Sequence, residues 1–210
     1  MKRILIVDDH EIVRRGLRQV LAEAFPDASF DEADSSETAL AAIASAPRDL
    51  VLLDVNIPGR SGLEVLEDAR RLRPGMPVLV VSAFPEEEFA VRCIRLGAAG
   101  YLTKNAASAE LVAAARKALA GGKYVTARLA ERLMDVLGGE AQPAPHEALS
   151  SRELQVLRLV ACGRSTKEIA AELHLSEKTI ATYRARISEK LGISTAVELT
   201  RYALQHGLSS

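Results

Sequence analysis

The sequence has few of the features that secreted, membrane-embedded or zinc-knuckle proteins need. It contains only two cysteines, Cys93 and Cys162, far apart along the chain, so neither a disulfide framework nor a cysteine metal knuckle is expected. No apolar run approaches the roughly 18 residues of a membrane span. The N-terminus MKRILIVDDH turns acidic where a signal peptide would still be apolar. We therefore expect a cytoplasmic protein without a membrane segment.

The residue patterns of common enzymes are also missing. There is no His/Ser/Cys triad and no glycine-rich nucleotide loop, and the four histidines share no ligand spacing: His10, His146, His174 and His206. We interpret His10, beside two aspartates, as a surface residue at a helix start. Hydrophobic residues make up 48% and charged residues 26% of the chain, which is typical of folded globular proteins, and 210 residues suit two small domains.

Charge is distributed unevenly between the two parts of the chain. Residues 1–148 contain 18 Lys and Arg against 22 Asp and Glu, whereas residues 149–210 contain 9 against 6. An acidic first part and a basic second part indicate two modules, the second a candidate for binding nucleic acid. A surplus of three positive charges is equally compatible with an ordinary solvated surface, so this pattern does not decide the function.

Short apolar runs alternate with helical patterns over the first 120 residues. The runs ILIV (4–7), LVLL (50–53) and VLVV (78–81) are continuously apolar, as strands buried on both faces are, and SFDEA (29–33) and AGYL (99–102) are weaker candidates. Segments with apolar residues at helical spacing lie between them. This order predicts an α/β domain with a five-stranded, doubly wound parallel sheet.

The rest of the chain predicts helices and no strand. A helical extension covers about 124–137, and GGEAQPAPHEA (138–148) has the composition of a linker. The remaining residues predict a small all-α domain of four helices. Within it, Ser165 with Glu168 forms a capping box and Ser176 caps the next helix after the break LHL, which is the helix-turn-helix pattern. We assign the α/β domain to 1–120, a helical extension and linker to 121–148, and the helical domain to 149–210.

Polar residues follow four of the predicted strands. Asp8 and Asp9 follow ILIV, Asp54 follows LVLL, Ser82 follows VLVV, and Lys104 lies just beyond AGYL. Because ligands of open parallel sheets bind beyond the carboxyl ends of the strands, we expect these side chains to meet. Carboxylates brought together raise one another's pKa unless a cation shares the site, and oxygen ligands suit Mg²⁺. Asp54 can then act as a nucleophile toward a phosphoryl group, with Lys104 offsetting charge and Ser82 hydrogen-bonding a phosphoryl oxygen. Taken singly, each of these residues is more commonly a turn, a strand end or a solvated lysine.

The segments ILIVDDH, LVLLDVNIPGRSGLEVL, VLVVSAF and LGAAGYLTK together resemble the receiver domain of bacterial two-component response regulators. The whole chain is similar to the NarL/FixJ branch of that family, which carries a LuxR-type output domain. The resemblance implies a flavodoxin-like receiver in which Asp54 accepts a phosphoryl group from a sensor histidine kinase. It implies that Asp9, Asp54 and the backbone carbonyl of Asn56 hold Mg²⁺ and that Asp8 supports the metal through water. It also assigns phosphoryl sensing and switching to Ser82, Tyr101 and Lys104.

The second helix of the helix-turn-helix pattern has one apolar stripe, formed by Ile180, Ile187 and Leu191, which must face a core. Without further information, the opposite face of this helix is best interpreted as an ordinary charged helix surface. The segment resembles the LuxR-type module, however, with a recognition helix at about 176–190. Ala181 and Tyr183 stand where many members have Lys and His, so we expect a different base preference. The predicted DNA-binding residues are Thr166, Lys167, Lys178, Thr179, Ala181, Thr182, Arg184, Ala185, Arg186 and Lys190.

With this resemblance, we expect a transcription regulator, not an enzyme, that binds double-stranded DNA, and the resemblance implies a homodimer when Asp54 is phosphorylated. Val197, Leu199 and Tyr202 of the last helix are the expected dimer contacts. Two alternatives stay open. Aspartyl-phosphate phosphatases use a similar nucleophile but place D-x-D on their first strand, and a degenerate receiver could control DNA binding without phosphate.

Overall fold

The structure is a computed structural model that describes residues 1–137 and 145–208. The chain divides into two compact units, Met1–Leu137 and Gly138–Ser210. Within the described ranges, no helix combines the length and the apolar character needed to cross a membrane.

The first unit contains a parallel sheet of five strands in the order β2-β1-β3-β4-β5. The strands are β1 (Arg3–Val7), β2 (Ser29–Ala33), β3 (Leu50–Leu53), β4 (Val78–Ser82) and β5 (Gly100–Thr103). Every residue of β3 and β4 is buried, which explains why their sequences are apolar without alternation. The predicted fold class is confirmed, and the strand order is that of flavodoxin-like sheets.

Helices connect the strands and cover both faces of the sheet. They are α1 (Glu11–Ala24), α2 (Ser36–Ser45), α3 (Gly62–Leu72), α4 (Glu86–Arg95) and α5 (Ser108–Leu119), followed by α6 (Ala127–Leu137). Leu21 of α1 and Leu111 of α5 belong to one core cluster with residues of β1, β3, β4 and β5. Since β1 and β3 are neighbours and the connections leave them in opposite directions, a crevice forms at their carboxyl ends.

The chain after α5 departs from the expected helical extension. Tyr124 is extended rather than helical: its N–H donates to the carbonyl of Ala99 at 2.7 Å, and it pairs with Gly100 in an isolated parallel bridge. A β-carbon on Gly100 would lie 2.8 Å from the carbonyl oxygen of Tyr124, so glycine permits this close approach. Helix α6 therefore begins only at Ala127, where the hydroxyl of Thr126 accepts the N–H of Leu129 at 3.1 Å.

The second unit contains a 3₁₀ turn, Pro145–Ala148, and four helices, as predicted: α7 (Ser151–Ala161), α8 (Thr166–Glu172), α9 (Glu177–Leu191) and α10 (Ala196–Gln205). Residues 138–144 of the expected linker lie outside the described residues, and its end forms the 3₁₀ turn. Both predicted helix caps, Ser165 and Ser176, accept an N–H of the first turn of their helix. Ile169, Ile180 and Ile187 are buried in the core of this unit, so the apolar stripe of α9 faces inward as expected.

Candidate functional site

Asp54 lies at the carboxyl end of β3 and is only 2% exposed. Its Oδ2 is 2.7 Å from Lys104 Nζ, which is also 2.6 Å from Asp8 Oδ2. Lys104 follows β5 and is held by its own N–H, which donates to the carbonyl of Ser82 at 2.7 Å. One ammonium group therefore bridges two buried carboxylates from neighbouring strands.

Burial raises the pKa of Asp54 from its ordinary value of 3.8 to about 6, against the opposing charge of Lys104 and with a further upward contribution from Asp8. Burial disfavours the charged form of Lys104 too, but the two carboxylates outweigh it and raise the pKa of the ammonium. At neutral pH Asp54 is thus ionised and Lys104 charged. The site holds a desolvated carboxylate that can act as a nucleophile.

The loop after β3 is fixed tightly around Asp54. The N–H of Asn56 donates to Asp54 Oδ1 at 3.2 Å, and the N–H of Gly62 donates to the carbonyl of Val55 at 2.9 Å. A β-carbon on Gly62 would overlap the carbonyl oxygen of Asp54 and lie 2.7 Å from Val55 Cα, so only glycine lets α3 start this close to β3. Ser61 caps α3 through a reciprocal capping box with Glu64, as the sequence predicts.

The residues after β1 supply the other acidic groups. Asp8 is 1% exposed, and its Oδ1 accepts the N–H of His10 at 2.9 Å. The imidazole Nδ1 of His10 lies 2.8 Å from Asp9 Oδ1 and 3.3 Å from Asp8 Oδ1. The ring of His10 is exposed, as the sequence indicates, but it also faces both aspartates. The position of His10 directly after Asp8 and Asp9 in the sequence could have predicted this contact.

Ser82 and Tyr101 both hydrogen-bond to Phe84, in the loop that follows β4. The hydroxyl of Ser82 accepts the N–H of Phe84 at 3.3 Å, and the hydroxyl of Tyr101 donates to the carbonyl of Phe84 at 2.7 Å. Both side chains are buried. The structure thus brings Asp8, Asp54 and Lys104 into direct contact, whereas Ser82 and Tyr101 are tied to Phe84 beside them.

The second unit presents a helix-turn-helix. Helices α8 and α9 pack against each other around a turn in which His174 adopts a left-handed conformation, φ 53°. Most of the predicted DNA-binding residues are exposed: Lys167, Lys178, Ala181, Thr182, Ala185, Arg186 and Lys190. Thr166, Thr179 and Arg184 are half-buried, and Arg184 donates to the hydroxyl of Thr166 at 3.2 Å.

Comparisons with known proteins agree with both units. A family model described as the response regulator receiver domain matches residues 4–116, and one described as bacterial regulatory proteins of the luxR family matches residues 147–203. Response regulator GacA of Pseudomonas viridiflava is 38% identical over 209 residues, which are 99% of this chain and 98% of GacA. This chain is a response regulator. It belongs to the two-component regulators that join a receiver to a LuxR-type DNA-binding domain.

Further relatives of the response regulator cover its whole length. Response regulator UvrY of Escherichia coli K12 is 35% identical over 99% of this chain and 96% of UvrY. The crystal structure of response regulator ChrA of a heme-sensing two-component system covers 98% of each chain at 30% identity, with a TM-score of 0.51. The structure of RcsB from Salmonella enterica serovar Typhimurium, bound to promoter rprA with phosphomimetic BeF₃⁻, covers 96% of this chain and 97% of RcsB at 25% identity, with a TM-score of 0.63.

Two groups of side chains in the regulator's output domain make contacts within that domain that the sequence did not predict. Lys190, predicted to bind DNA, has its Nζ 2.7 Å from Glu153 Oε2 and 3.3 Å from the carbonyl of Ala148. Of the expected dimer contacts, Leu199 is buried in the core, and the hydroxyl of Tyr202 accepts the N–H of His146 at 3.2 Å. The expectation for Leu199 was wrong because the inner face of α10 packs on α7, and only Val197 of the three is exposed.

Proposed function

We propose that this response regulator accepts a phosphoryl group on Asp54 from a phosphohistidine of its sensor kinase. The observation that carries the proposal is the buried Asp54 carboxylate with Lys104 Nζ at 2.7 Å. A carboxylate oxygen attacks phosphorus, the bond from phosphorus to the histidine nitrogen breaks, and an acyl phosphate forms on Asp54. Lys104 offsets the negative charge that the phosphoryl oxygens bring into this buried place.

The residues at this site fit a Mg²⁺ ion. Asp8 Oδ2 and Asp54 Oδ2 are both buried and share the single ammonium of Lys104, at 2.6 and 2.7 Å, so two carboxylates face one positive charge. Oxygen donors, which Mg²⁺ prefers, are available from the carboxylates of Asp8, Asp9 and Asp54 and from the carbonyl of Asn56. When bound, Mg²⁺ would supply positive charge against the phosphoryl oxygens. Asp9 and Asp54 would hold it directly and Asp8 through water.

Phosphorylation would change the hydrogen bonds around Phe84. A phosphoryl oxygen on Asp54 offers the Ser82 hydroxyl a stronger acceptor, and a reoriented hydroxyl gives up the N–H of Phe84. The carbonyl of the same residue accepts from Tyr101, so the change passes to the end of β4, the start of α4 and β5. We propose that this rearrangement controls homodimerisation and DNA binding, and hence transcription.

The dimer would use the outer face of α10. Val197 is 77% exposed and Leu204 is 58% exposed, and they are seven residues apart, two turns along one side of the helix. Two copies of this face would place both output domains on a symmetric DNA site. This role replaces the one expected of Leu199 and Tyr202.

The test is labelling of the full-length protein by acetyl phosphate in the presence of Mg²⁺, followed by intact mass. Wild type and the control Asp27→Asn, a change at an exposed aspartate, should gain the mass of one phosphoryl group, and Asp54→Asn should gain none. Labelling of Asp54→Asn would overturn the assignment. If neither form is labelled, the experiment is repeated with the phosphorylated kinase, and a negative result there overturns the proposal. Continuous release of phosphate from a phosphate ester would favour the phosphatase alternative.

A further inference from the structure

The first residue of α2, Ser36, contacts the loop that follows Asp54. Ser36 is only 5% exposed. Its N–H donates to the carbonyl of Pro58 at 3.0 Å, and its hydroxyl accepts the N–H of Arg60 at 2.9 Å. One buried residue of a different helix therefore holds two backbone groups of this loop.

Gly59 lies between the two backbone groups that Ser36 holds. It adopts φ 84°, a left-handed conformation that glycine takes without strain. A β-carbon on Gly59 would overlap Ser36 Oγ. The hydroxyl is therefore packed against the turn formed by residues 58–60 as well as bonded to it.

Ser36 holds the middle of the loop, at a distance from the bonds that fix its start. The start is fixed at Asp54, whose Oδ1 accepts the N–H of Asn56 at 3.2 Å. In the middle, the side chain of Arg60 also pairs with Asp68, but the Arg60 side chain is 49% exposed, and exposed ion pairs contribute about 0 to 1 kcal/mol at most. The bond to the Ser36 hydroxyl lies in a more protected place, so we expect it to matter more for the shape of the loop.

The same loop carries a group that the proposed cation site needs, the carbonyl of Asn56. Asn56 lies midway between Asp54 and Pro58 along the chain, so the position of its carbonyl depends on how both ends of this short segment are held. We propose that Ser36 is a positioning residue for the acceptance of a phosphoryl group by Asp54. Its hydroxyl holds residues 58–60 and thereby keeps the carbonyl of Asn56 in place before the cation binds. The proposal rests on the proposed function, to which it adds a residue that touches none of the reacting groups.

The first test is hydrogen exchange of the full-length protein in EDTA, measured on peptides covering residues 55–61. Ser36→Ala removes only the hydroxyl, because the N–H of residue 36 can still donate to Pro58. The peptides should exchange roughly fivefold faster, as for the loss of one ordinary hydrogen bond. The matched control is Ser35→Ala, which removes the N-cap of the same helix, where the hydroxyl of Ser35 accepts the N–H of Thr38. It should lower the unfolding temperature and leave exchange at 55–61 within about twofold of wild type.

The second test is calorimetric titration of the same proteins with Mg²⁺, together with the rate of labelling by acetyl phosphate at increasing Mg²⁺ concentration. Ser36→Ala should weaken Mg²⁺ binding and raise the half-saturating Mg²⁺ concentration by about fivefold or more, because residues that orient metal ligands affect the affinity for the metal. At saturating Mg²⁺ the labelling rate should fall less than about threefold, since the bonds to the cation then hold the loop. Ser35→Ala should match wild type in both measurements.

The outcomes separate a failure of this role from a failure of the proposed function. Unchanged exchange at 55–61, or faster exchange with unchanged Mg²⁺ binding, would overturn the role of Ser36 and leave the proposed function standing. Equal losses in Ser36→Ala and Ser35→Ala would also overturn it, because they would assign the effect to the stability of α2. Absence of both Mg²⁺ binding and labelling in wild type would overturn the proposed function itself.

Discussion

Tyr101 donates its hydroxyl to the carbonyl of Phe84 at 2.7 Å, and it does so from a fully buried position at the centre of β5. The N–H of Phe84 is held in turn by Ser82. The N–H of Phe84 thus ties the loop after β4 to the end of β4, and the carbonyl of Phe84 ties the same loop to β5. A change at either anchor must alter the loop.

Tyr101→Phe should loosen this loop while keeping the ring in the core. The carbonyl of Phe84 loses one donor, which costs about 1 kcal/mol and corresponds to roughly fivefold faster exchange. Hydrogen exchange measured by mass spectrometry on peptides covering residues 83–85 would show it. Tyr124→Phe, which removes a hydroxyl bonded to Glu110 at 3.2 Å, is the control and should leave that peptide unchanged.

The charge of Asp54 should cost stability in the absence of divalent cations. Its pKa is about 6 in the folded protein against an ordinary 3.8, so the folded state takes up a proton that the unfolded state has already released. The stabilisation that protonated Asp54 gives the folded state is therefore complete below pH 4 and is lost as the pH rises through about 6. With about 1.4 kcal/mol for each pKa unit, Asp54→Asn should be more stable than wild type by on the order of 2 to 3 kcal/mol at pH 7.5.

Urea unfolding in EDTA, monitored by hydrogen exchange of β3 and β4, would measure this difference. At pH 4 the gap between wild type and Asp54→Asn should close to less than about 1 kcal/mol. Asp27→Asn, at an exposed site, should follow wild type at both pH values. A gap that is the same at pH 4 and pH 7.5 would contradict the raised pKa.

The fold could be predicted because its sequence signals are local. LVLL is apolar at all four positions, and the structure buries all four, so the strand and the Asp54 that ends it follow from one short segment. Tyr124 could not be placed in the same way. Its bridge to Gly100 depends on two segments 24 residues apart meeting at a sheet edge, and the helical periodicity around it gives no sign of the contact.

The candidate site shows the same division. The carboxyl ends of parallel strands meet at one edge, so strand assignment alone brings Asp8, Asp54 and Lys104 together. The ion pair of Lys190 with Glu153 joins residues 37 positions apart on different helices. Helical spacing places Lys190 on the surface of α9 but cannot show which surface group it meets.

Gly62→Ala should disturb the loop that carries Asp54. The new β-carbon meets backbone atoms of Asp54 and Val55, which cannot turn away as a side chain could, so we expect a loss of about 1 to 3 kcal/mol. Because a displacement of about 1 Å can slow a reaction about a hundredfold, acetyl phosphate labelling should slow by at least tenfold. Thermal unfolding and the labelling rate would measure the two effects.

Gly16→Ala provides the matched control for that substitution. Gly16 lies inside α1, and a β-carbon there would meet nothing within 4 Å. Alanine should therefore stabilise the protein by about 0.5 to 1 kcal/mol through helix propensity, with the labelling rate unchanged. If the two substitutions changed stability and the labelling rate equally, the close approach of backbone atoms at Gly62 would not be the cause of the Gly62→Ala effects.

Basic residues on α9 should differ in their contribution to DNA binding. Lys178 and Arg186 are exposed on the outer face of the helix, and replacing either by alanine should reduce the salt slope of binding by about 0.9 for each phosphate that the side chain neutralises. Lys190 is engaged with Glu153, so Lys190→Ala should leave the slope nearly unchanged and instead lower the unfolding temperature of the helical domain. Fluorescence anisotropy over a range of salt concentrations would measure the salt slope of each variant. An equal change of slope for Lys190→Ala and Lys178→Ala would contradict the structural role of Lys190.

Thr126 joins α6 to the start of α4, and its hydroxyl has two roles. It donates to the Glu86 carboxylate, whose oxygens lie at 2.8 and 2.9 Å, and it accepts the N–H of Leu129 in the first turn of α6. Thr126→Val keeps the shape but loses both bonds, so α6 should lose about 1 kcal/mol, the usual cost of a missing helix cap. Amides in residues 127–132 should then exchange about fivefold faster. Thr126→Ser retains the hydroxyl and should exchange like wild type, whereas equal acceleration in both variants would contradict the role of the hydroxyl.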